Sequence, residues 1–149
     1  MIIRGYKDVD KNQILQLAAR FSDLEFMSYR DQEKMNKKQM DLAKEAVERN
    51  CSNIFVAEED GEFIGYIELT EQTDYFTGEK QGYVSAIAVL PQGEGKGIGK
   101  KLMQKAEEWT AEKGIQVLVL DVFQKNERAI KLYEKLGYQQ EIVKMTKVL

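Results

Sequence analysis

The chain has 149 residues but no histidine, one cysteine and one proline. Each shortage closes off some chemistry. Without histidine there is no Ser-His-Asp or Cys-His catalysis and no histidine-ligated metal site, so no metal is expected. Acid–base work falls to carboxylates, tyrosine, lysine, cysteine or water. The single thiol, Cys51, forms no internal disulfide and fits a reducing cytoplasm. A small apolar residue at a strand entrance explains it better than a nucleophile does. No apolar run approaches the ~20 residues that span a bilayer, so no membrane segment is expected. The N-terminus, Met1-Ile2-Ile3-Arg4, meets charge before a signal-peptide core can form. A net charge of −3 gives no general attraction to nucleic acid. Acidic and basic residues mix along the helices, as on solvated faces. Hydrophobic residues make up 43% of the chain and charged residues 32%, which suits one buried core and a single domain over 1–149.

The most informative stretch runs from Val84 to Leu102. A short apolar strand pattern ends at Pro91, and Gly95, Gly97 and Gly99 alternate ahead of an amphipathic helix. Strand, glycine loop and helix start together make a phosphate grip. Glycine lets the backbone approach the anion, and the free N–H groups of the first helical turn point at it. Two better-known glycine motifs fail here. A P-loop needs Ser or Thr after Gly-Lys, but Lys101 follows Gly99-Lys100, and Glu94 stands where the upstream glycine belongs. A dinucleotide fingerprint needs a third glycine where this chain has Lys100 or Leu102. What remains, G-x-G-x-G, is a weak signal alone, because it also describes a flexible turn between strand and helix.

Further along, residues 115–122 form a second buried-strand pattern. Asn126-Glu-Arg-Ala-Ile-Lys-Leu-Tyr-Glu-Lys-Leu-Gly-Tyr138 follows. Here the chain resembles the GNAT superfamily of acetyl-coenzyme A-dependent N-acetyltransferases. That family carries Gln/Arg-x-x-Gly-x-Gly/Ala after a strand ending Val-x-Pro, then Asn-x-x-Ala-x-x-Leu-Tyr-x-x-x-Gly-Phe/Tyr. Asn126, Ala129, Leu132, Tyr133, Gly137 and Tyr138 match the second signature. The resemblance extends over essentially the whole chain, and the ordered pair of motifs is far more specific than either one. The first motif departs from the pattern. Counting from Val89-Leu90-Pro91, Glu94 falls where the family has Arg or Gln, with Gly97 and Gly99 as its glycines. A second register, Gln92, Gly95 and Gly97, also exists. A carboxylate beside a pyrophosphate is unfavourable, and Lys96, Lys100 and Lys101 are expected to offset it.

Periodicity sets out the elements. Residues 2–6 read as a strand. Asp8 or Asp10 caps a helix with Ile14, Leu17, Ala18 and Phe21 inward. A second helix covers 31–49 with Met35, Leu42, Ala43, Ala46 and Val47 inward. Strands at 53–59 and 62–71 meet at Glu59-Asp60-Gly61, a hairpin signal. A polar loop spans 72–80 and strand four spans 81–90. The glycine-loop helix buries Ile98, Leu102, Ala106 and Trp109 and ends at Gly114. A strand at 138–148 closes the chain. The expected fold is α/β, a GNAT-like domain in the order β-α-α-β-β-β-α-β-α-β. Its sheet is mixed, mostly antiparallel and flanked by helices.

The resemblance implies acetyl-coenzyme A as cofactor and a small-molecule or peptide amine as acceptor; the sequence leaves a homodimer open. It places the pyrophosphate on backbone N–H groups from Gly95 through Lys96, Gly97, Ile98, Gly99 and Lys100, with Glu94 alongside. It places the pantetheine arm along Ile87, Ala88 and Val89, in a gap between strands four and five, with Asn126 and Ala129 contacting the cofactor. Tyr133 would donate a proton to the departing sulfur, because a phenol stays protonated at neutral pH. The same tyrosine also reads as a core aromatic beside Ile130 and Leu136. The general base stays open among Glu68, Glu71, Asp74, Asp121 and water, since residues 83–89 carry no carboxylate and Ser85 occupies the equivalent place. By resemblance, the acceptor pocket draws on Phe26, Tyr29, Arg30, Tyr75 and Phe76. Three functions are carried forward: an N-acetyltransferase, a non-enzymatic acyl-coenzyme A binding or sensing module, and an interaction domain that has lost the cofactor.

Overall fold

The computed structural model describes residues 1–22 and 29–149. Strand β1 (Ile2–Gly5) leads to helix α1 (Lys11–Ala19), and helix α2 (Gln32–Arg49) follows. Strands β2 (Ile54–Glu59), β3 (Glu62–Thr73) and β4 (Lys80–Val89) come next. Helix α3 (Ile98–Glu112), strand β5 (Leu118–Val119) and helix α4 (Glu127–Lys135) complete the order. The five strands lie side by side in sequence order. The β1–β2, β2–β3 and β3–β4 pairings are antiparallel, and β4–β5 is parallel across the α3 crossover. This is the expected mixed α/β architecture. Among the described residues no helix is long and apolar enough to cross a membrane.

Strand alternation splits the core in two. Ile67, Leu69 and Val84 face α3, which returns Ile98, Leu102, Met103, Ala106 and Trp109 at helical spacing. Ile54, Val56 and Tyr66 face the other way, onto Ile14 and Leu17 of α1 and Ala46 and Val47 of α2. Asp31 starts α2 by accepting the Lys34 N–H at 2.9 Å. Asp60 and Gly61 both have positive φ, 52° and 79°, the two-residue hairpin geometry that an Asp-Gly pair favours.

Four expectations change. Asp10 does precede α1, but its carboxylate does not cap the first turn. It accepts instead from the two terminal guanidinium nitrogens of Arg4, at 2.8 and 2.9 Å, and from the Lys7 N–H at 2.8 Å. Strand five shrinks from 115–122 to two residues. Its pairing with β4 stops at Tyr83, just before a bulge whose extra residue is Ser85. A bulge bends and twists its strand, which carries the rest of β4 away from β5. The strand at 138–148 does not form. A two-residue β5 offers too little edge to pair with it, and Ile142, Val143, Met145 and Val148 remain exposed. Cys51 is exposed in a turn before β2, so it does not pack as an apolar residue.

The Arg4 cluster yields a stability prediction. Asp10 is 2% exposed, and Arg4 also pairs with Glu58 of β2. Burial pushes the Asp10 carboxyl up, but the bonds from Arg4 and Lys7 outweigh it and hold the group below its ordinary value. A carboxyl held low contributes stability above its unfolded pKa of ~4, and loses it as pH falls through the folded value. Arg4→Met leaves a buried carboxylate unpaired and should cost about 3–5 kcal/mol in denaturant unfolding at pH 7. The deficit should narrow in acid, where Asp10 is protonated. Equal unfolding midpoints at pH 7 would show that water replaces the guanidinium.

Candidate active site

The bulge in β4 is where the site begins. Glu68 pairs with Ala86 but Leu69 pairs with Val84, so Ser85 is the extra residue. Its hydroxyl lies 2.7 Å from that of Thr70. The shift lets Val84 join the core against α3 while Ala86 and Ala88 pack on the α1–α2 side. Past Tyr83, β4 keeps β3 as its partner through Val89, but β5 no longer pairs with it. The backbone edge at Ile87, Ala88 and Val89 therefore opens toward the gap.

The glycine loop follows the end of β4 and meets α4. After a single turn at Pro91–Gly93 the chain is extended at Glu94, then left-handed at Gly95 (φ 78°) and Gly97 (φ 77°). Helix α3 starts at Ile98, and among the described residues no side chain caps it. Its first intrahelical bond runs from the Lys101 N–H to the Gly97 carbonyl, which leaves the N–H groups of Ile98, Gly99 and Lys100 outside the helical ladder. A Cβ on Gly95 or Gly97 would meet nothing within 4 Å, so these positions need glycine for their φ and not for space. Gly93, which the sequence reading passed over, is the opposite case. A Cβ there would lie 2.8 Å from Ile98 Cδ1 and 2.9 Å from Val89 Cγ1.

Glu94 has a different partner from the lysines expected to offset it. Its carboxylate lies 3.3 Å from Arg128 Nη1 on α4, while Lys96 pairs with Glu59 of β2 at 3.5 Å. Lys100 is exposed on the first turn of α3. The loop charge is thus balanced from α4.

A cleft of about 620 Å³ opens between α2 and the far side of the splayed strands. Of the residues anticipated from sequence, it gathers Ile87, Asn126, Ala129 and Tyr133. Asn126 caps α4 by accepting the Ala129 N–H at 3.4 Å. Tyr133 stands edge-on to Tyr138, ring centres 6.1 Å apart, and packs against the α3 core. Burial pushes its phenol above the ordinary value, so it holds its proton at neutral pH. The cleft does not gather the anticipated acceptor aromatics. Tyr75 and Phe76 are 91% and 75% exposed, stacked edge-to-face on each other in the β3–β4 turn. Tyr29 and Arg30 pair with each other just before α2, the guanidinium 4.3 Å from the ring centre. Phe26 lies outside the described residues. Phe21, Leu42 and Phe123 supply apolar wall instead. Periodicity reads Phe21 and Leu42 as inward core residues, but Leu42 is instead exposed on the cleft wall, and Phe123 joins them from beyond β5, a contact that no local pattern signals.

The four candidate carboxylates now differ. Glu71 sits between Lys80 and Lys113, at 3.6 and 3.5 Å, on the surface. Asp74 holds its own turn by accepting the Thr77 N–H and hydroxyl at 3.0 and 2.7 Å. Asp121 reaches the cleft and accepts the Tyr83 hydroxyl at 2.7 Å. Burial first and that bond second push Tyr83 up to about 12. Glu68 also lines the cleft, half-buried, with one oxygen accepting from Asn50 Nδ2 at 2.8 Å.

Known proteins share the family signature and the fold of this chain. The Acetyltransferase (GNAT) family model matches residues 14–138. The uncharacterized N-acetyltransferase YhfO of Bacillus subtilis is 31% identical over 98 residues, covering 66% of each chain. An uncharacterized N-acetyltransferase of Archaeoglobus fulgidus is 38% identical over 86 residues, covering 57% of this chain and 58% of that one. The chain thus spans less than two thirds of the length of these relatives. A solved protein of Pyrococcus furiosus, described as a candidate acetyl transferase, superposes with a TM-score of 0.75 at 26% identity. That match covers 99% of both chains.

Proposed function

The chain belongs to the acetyltransferase (GNAT) family, and from that premise we propose that it moves an acetyl group from acetyl-coenzyme A to a primary amine by direct attack. One observation carries the reading. A single cleft gathers Ile87 of the open β4 edge, Asn126 and Ala129 at the start of α4, and a protonated Tyr133, while the glycine loop that leads into α3 meets the same α4 through Glu94 and Arg128. The donor set fits the cofactor. Gly95 and Gly97 take a left-handed backbone without steric cost, and the N–H groups of Ile98, Gly99 and Lys100, outside the helical ladder, suit an anion. Glu94 is already paired with Arg128, so its charge does not argue against a phosphate there. Ile87, Ala88 and Val89 would hold the cofactor's arm through backbone hydrogen bonds, beside Asn126 and Ala129.

Acetyl-coenzyme A, when bound, supplies an acyl group activated as a thioester. The chain's own residues do the rest. A β4 N–H within Ile87–Val89 is suited to polarising the carbonyl, the kind of fixed dipole that favours developing negative charge. Tyr133 carries a proton that it can give to the thiolate. The apolar wall of Phe21, Leu42 and Phe123 suits the carbon skeleton of a small or peptide amine.

Calorimetric titration with acetyl-coenzyme A, followed by thiol release across a panel of amines, tests the proposal. Binding with amine-dependent release is expected. Binding without release for any amine would leave a non-enzymatic acyl-coenzyme A module. No binding would leave an interaction domain.

A further inference from the structure

We propose that Glu68, oriented by Asn50, takes the proton from the acceptor's ammonium; the proposal rests on the transferase reading above. Glu68 lies on β3, one strand away from the Ser85 position on β4 at which the family resemblance implies a base. Three features of this chain put it there. Its partner across the ladder is Ala86, whose methyl group leaves the space above β4 open. The bulge at Ser85 begins beside it, so the carboxylate borders the place where β4 bends away from β5. It lines the same cleft as Tyr133, the acid of the reaction.

Asn50 fixes the carboxylate. It terminates α2, and its side-chain amide is held from both ends. Nδ2 donates to Glu68 Oε2 at 2.8 Å and to the Leu69 carbonyl at 3.0 Å, while Oδ1 accepts from Asn53 Nδ2 at 2.8 Å. Glu68 Oε1 has no hydrogen-bond partner among the described residues, so one oxygen is anchored and the other is left for a ligand. The other carboxylates considered lack this combination. Glu71 and Asp74 are engaged outside the cleft, and Asp121 takes the Tyr83 hydroxyl.

The surroundings also make Glu68 a stronger base. Burial pushes its carboxyl above the ordinary value, the Asn50 bond pulls it partly back, and the charge of Glu45 pushes it up again. The titratable groups around it are Glu45 and Arg49 of α2, Tyr66 on its own strand, Tyr83 of β4, Asp121 after β5 and Tyr133 of α4. A carboxylate whose pKa approaches the working pH accepts a proton more effectively while remaining mostly ionised.

The proton count closes. An N–H bond of the ammonium breaks toward Glu68, which later releases that proton to water. The freed lone pair forms the C–N bond at the acyl carbon as the C–S bond breaks. Tyr133 gives its hydroxyl proton to the departing thiolate. A second nitrogen proton restores Tyr133, through water, and the third stays in the amide.

Acceptor kcat/KM against pH, measured for the wild type and three variants, tests the assignment. Glu68→Gln should lose about a hundredfold or more at pH 7, keep its acetyl-coenzyme A affinity, and recover toward alkaline pH, where the amine arrives neutral. Glu45→Gln should move the acid limb to lower pH, and Asn50→Ala should move it to higher pH. Carbon-13 NMR titration of the Glu68 carboxyl in the unliganded protein should show the same opposed shifts without any turnover. Wild-type kcat/KM in Glu68→Gln would overturn the assignment and leave the transferase reading intact. An acid limb that neither Glu45→Gln nor Asn50→Ala moves would overturn it as well. A wild type that releases no thiol with any amine would remove both.

Discussion

Gly97→Asp should fold normally and lose acetyl-coenzyme A binding by more than about a hundredfold, close to 3 kcal/mol at 1.4 kcal/mol per decade. Gly97 is the residue from which α3 starts, at φ 77°, with no side chain among the described residues capping the first turn. Aspartate is among the few residues that tolerate a left-handed backbone, and it is also a strong N-cap. Its Cβ would enter open space, so packing around Ile98 and Leu102 is undisturbed. The new carboxylate would accept the N–H groups that the pyrophosphate needs, and it would repel the phosphate charge. The variant therefore gains a cap at the position proposed to bind an anion. Gly97→Asn separates the two effects, because it can cap without charge and should lose less affinity than Gly97→Asp. Thermal stabilisation by acetyl-coenzyme A, read in both variants beside the wild type, decides the matter. Undiminished stabilisation in both would mean that the phosphates do not sit at the start of α3.

The parts of this structure that sequence reveals are those fixed by residues a few positions apart. Asp60-Gly61 sets a hairpin because both residues accept positive φ. Asn126 caps α4 because its amide reaches a donor three residues on. Gly95 and Gly97 announce a left-handed loop before a helix whose stripe runs inward. The other features depend on what lies across the sheet. Ser85 becomes a bulge only through the register of β3, and that bulge limits β5 to two residues. Asp10 looks like a cap until Arg4 and the Lys7 N–H claim its oxygens. Glu68, Glu71, Asp74 and Asp121 are alike as letters; Asn50, two lysines, a threonine turn and Tyr83 make them different. Phe21, Leu42 and Phe123 line the cleft from three separate segments, whereas Tyr75 and Phe76, adjacent in sequence, turn to solvent.

Tyr133→Phe should bind acetyl-coenzyme A and fold like the wild type, yet turn over about 10²–10⁴ times more slowly, the span of general acid–base catalysis. The substitution removes one oxygen and leaves the ring. The ring is the part that packs against the α3 core and Tyr138. Among the described residues the hydroxyl has no hydrogen-bond partner, so its loss strands no buried group and should barely change the unfolding midpoint. Burial raises the phenol pKa, which keeps the proton in place across the neutral range. The sign is that of an acid: activity that depends on the proton is present below the raised pKa and lost above it. The wild type should therefore show an alkaline limb above pH ~10 that the variant lacks. If the proton is needed only in the transition state, kcat and acceptor kcat/KM should fall together with little change in KM. Single-turnover acetylation with saturating acetyl-coenzyme A is the measurement to make, because slow product release would hide the chemical step. A variant with wild-type single-turnover rates would return Tyr133 to a packing role and make water the donor to sulfur.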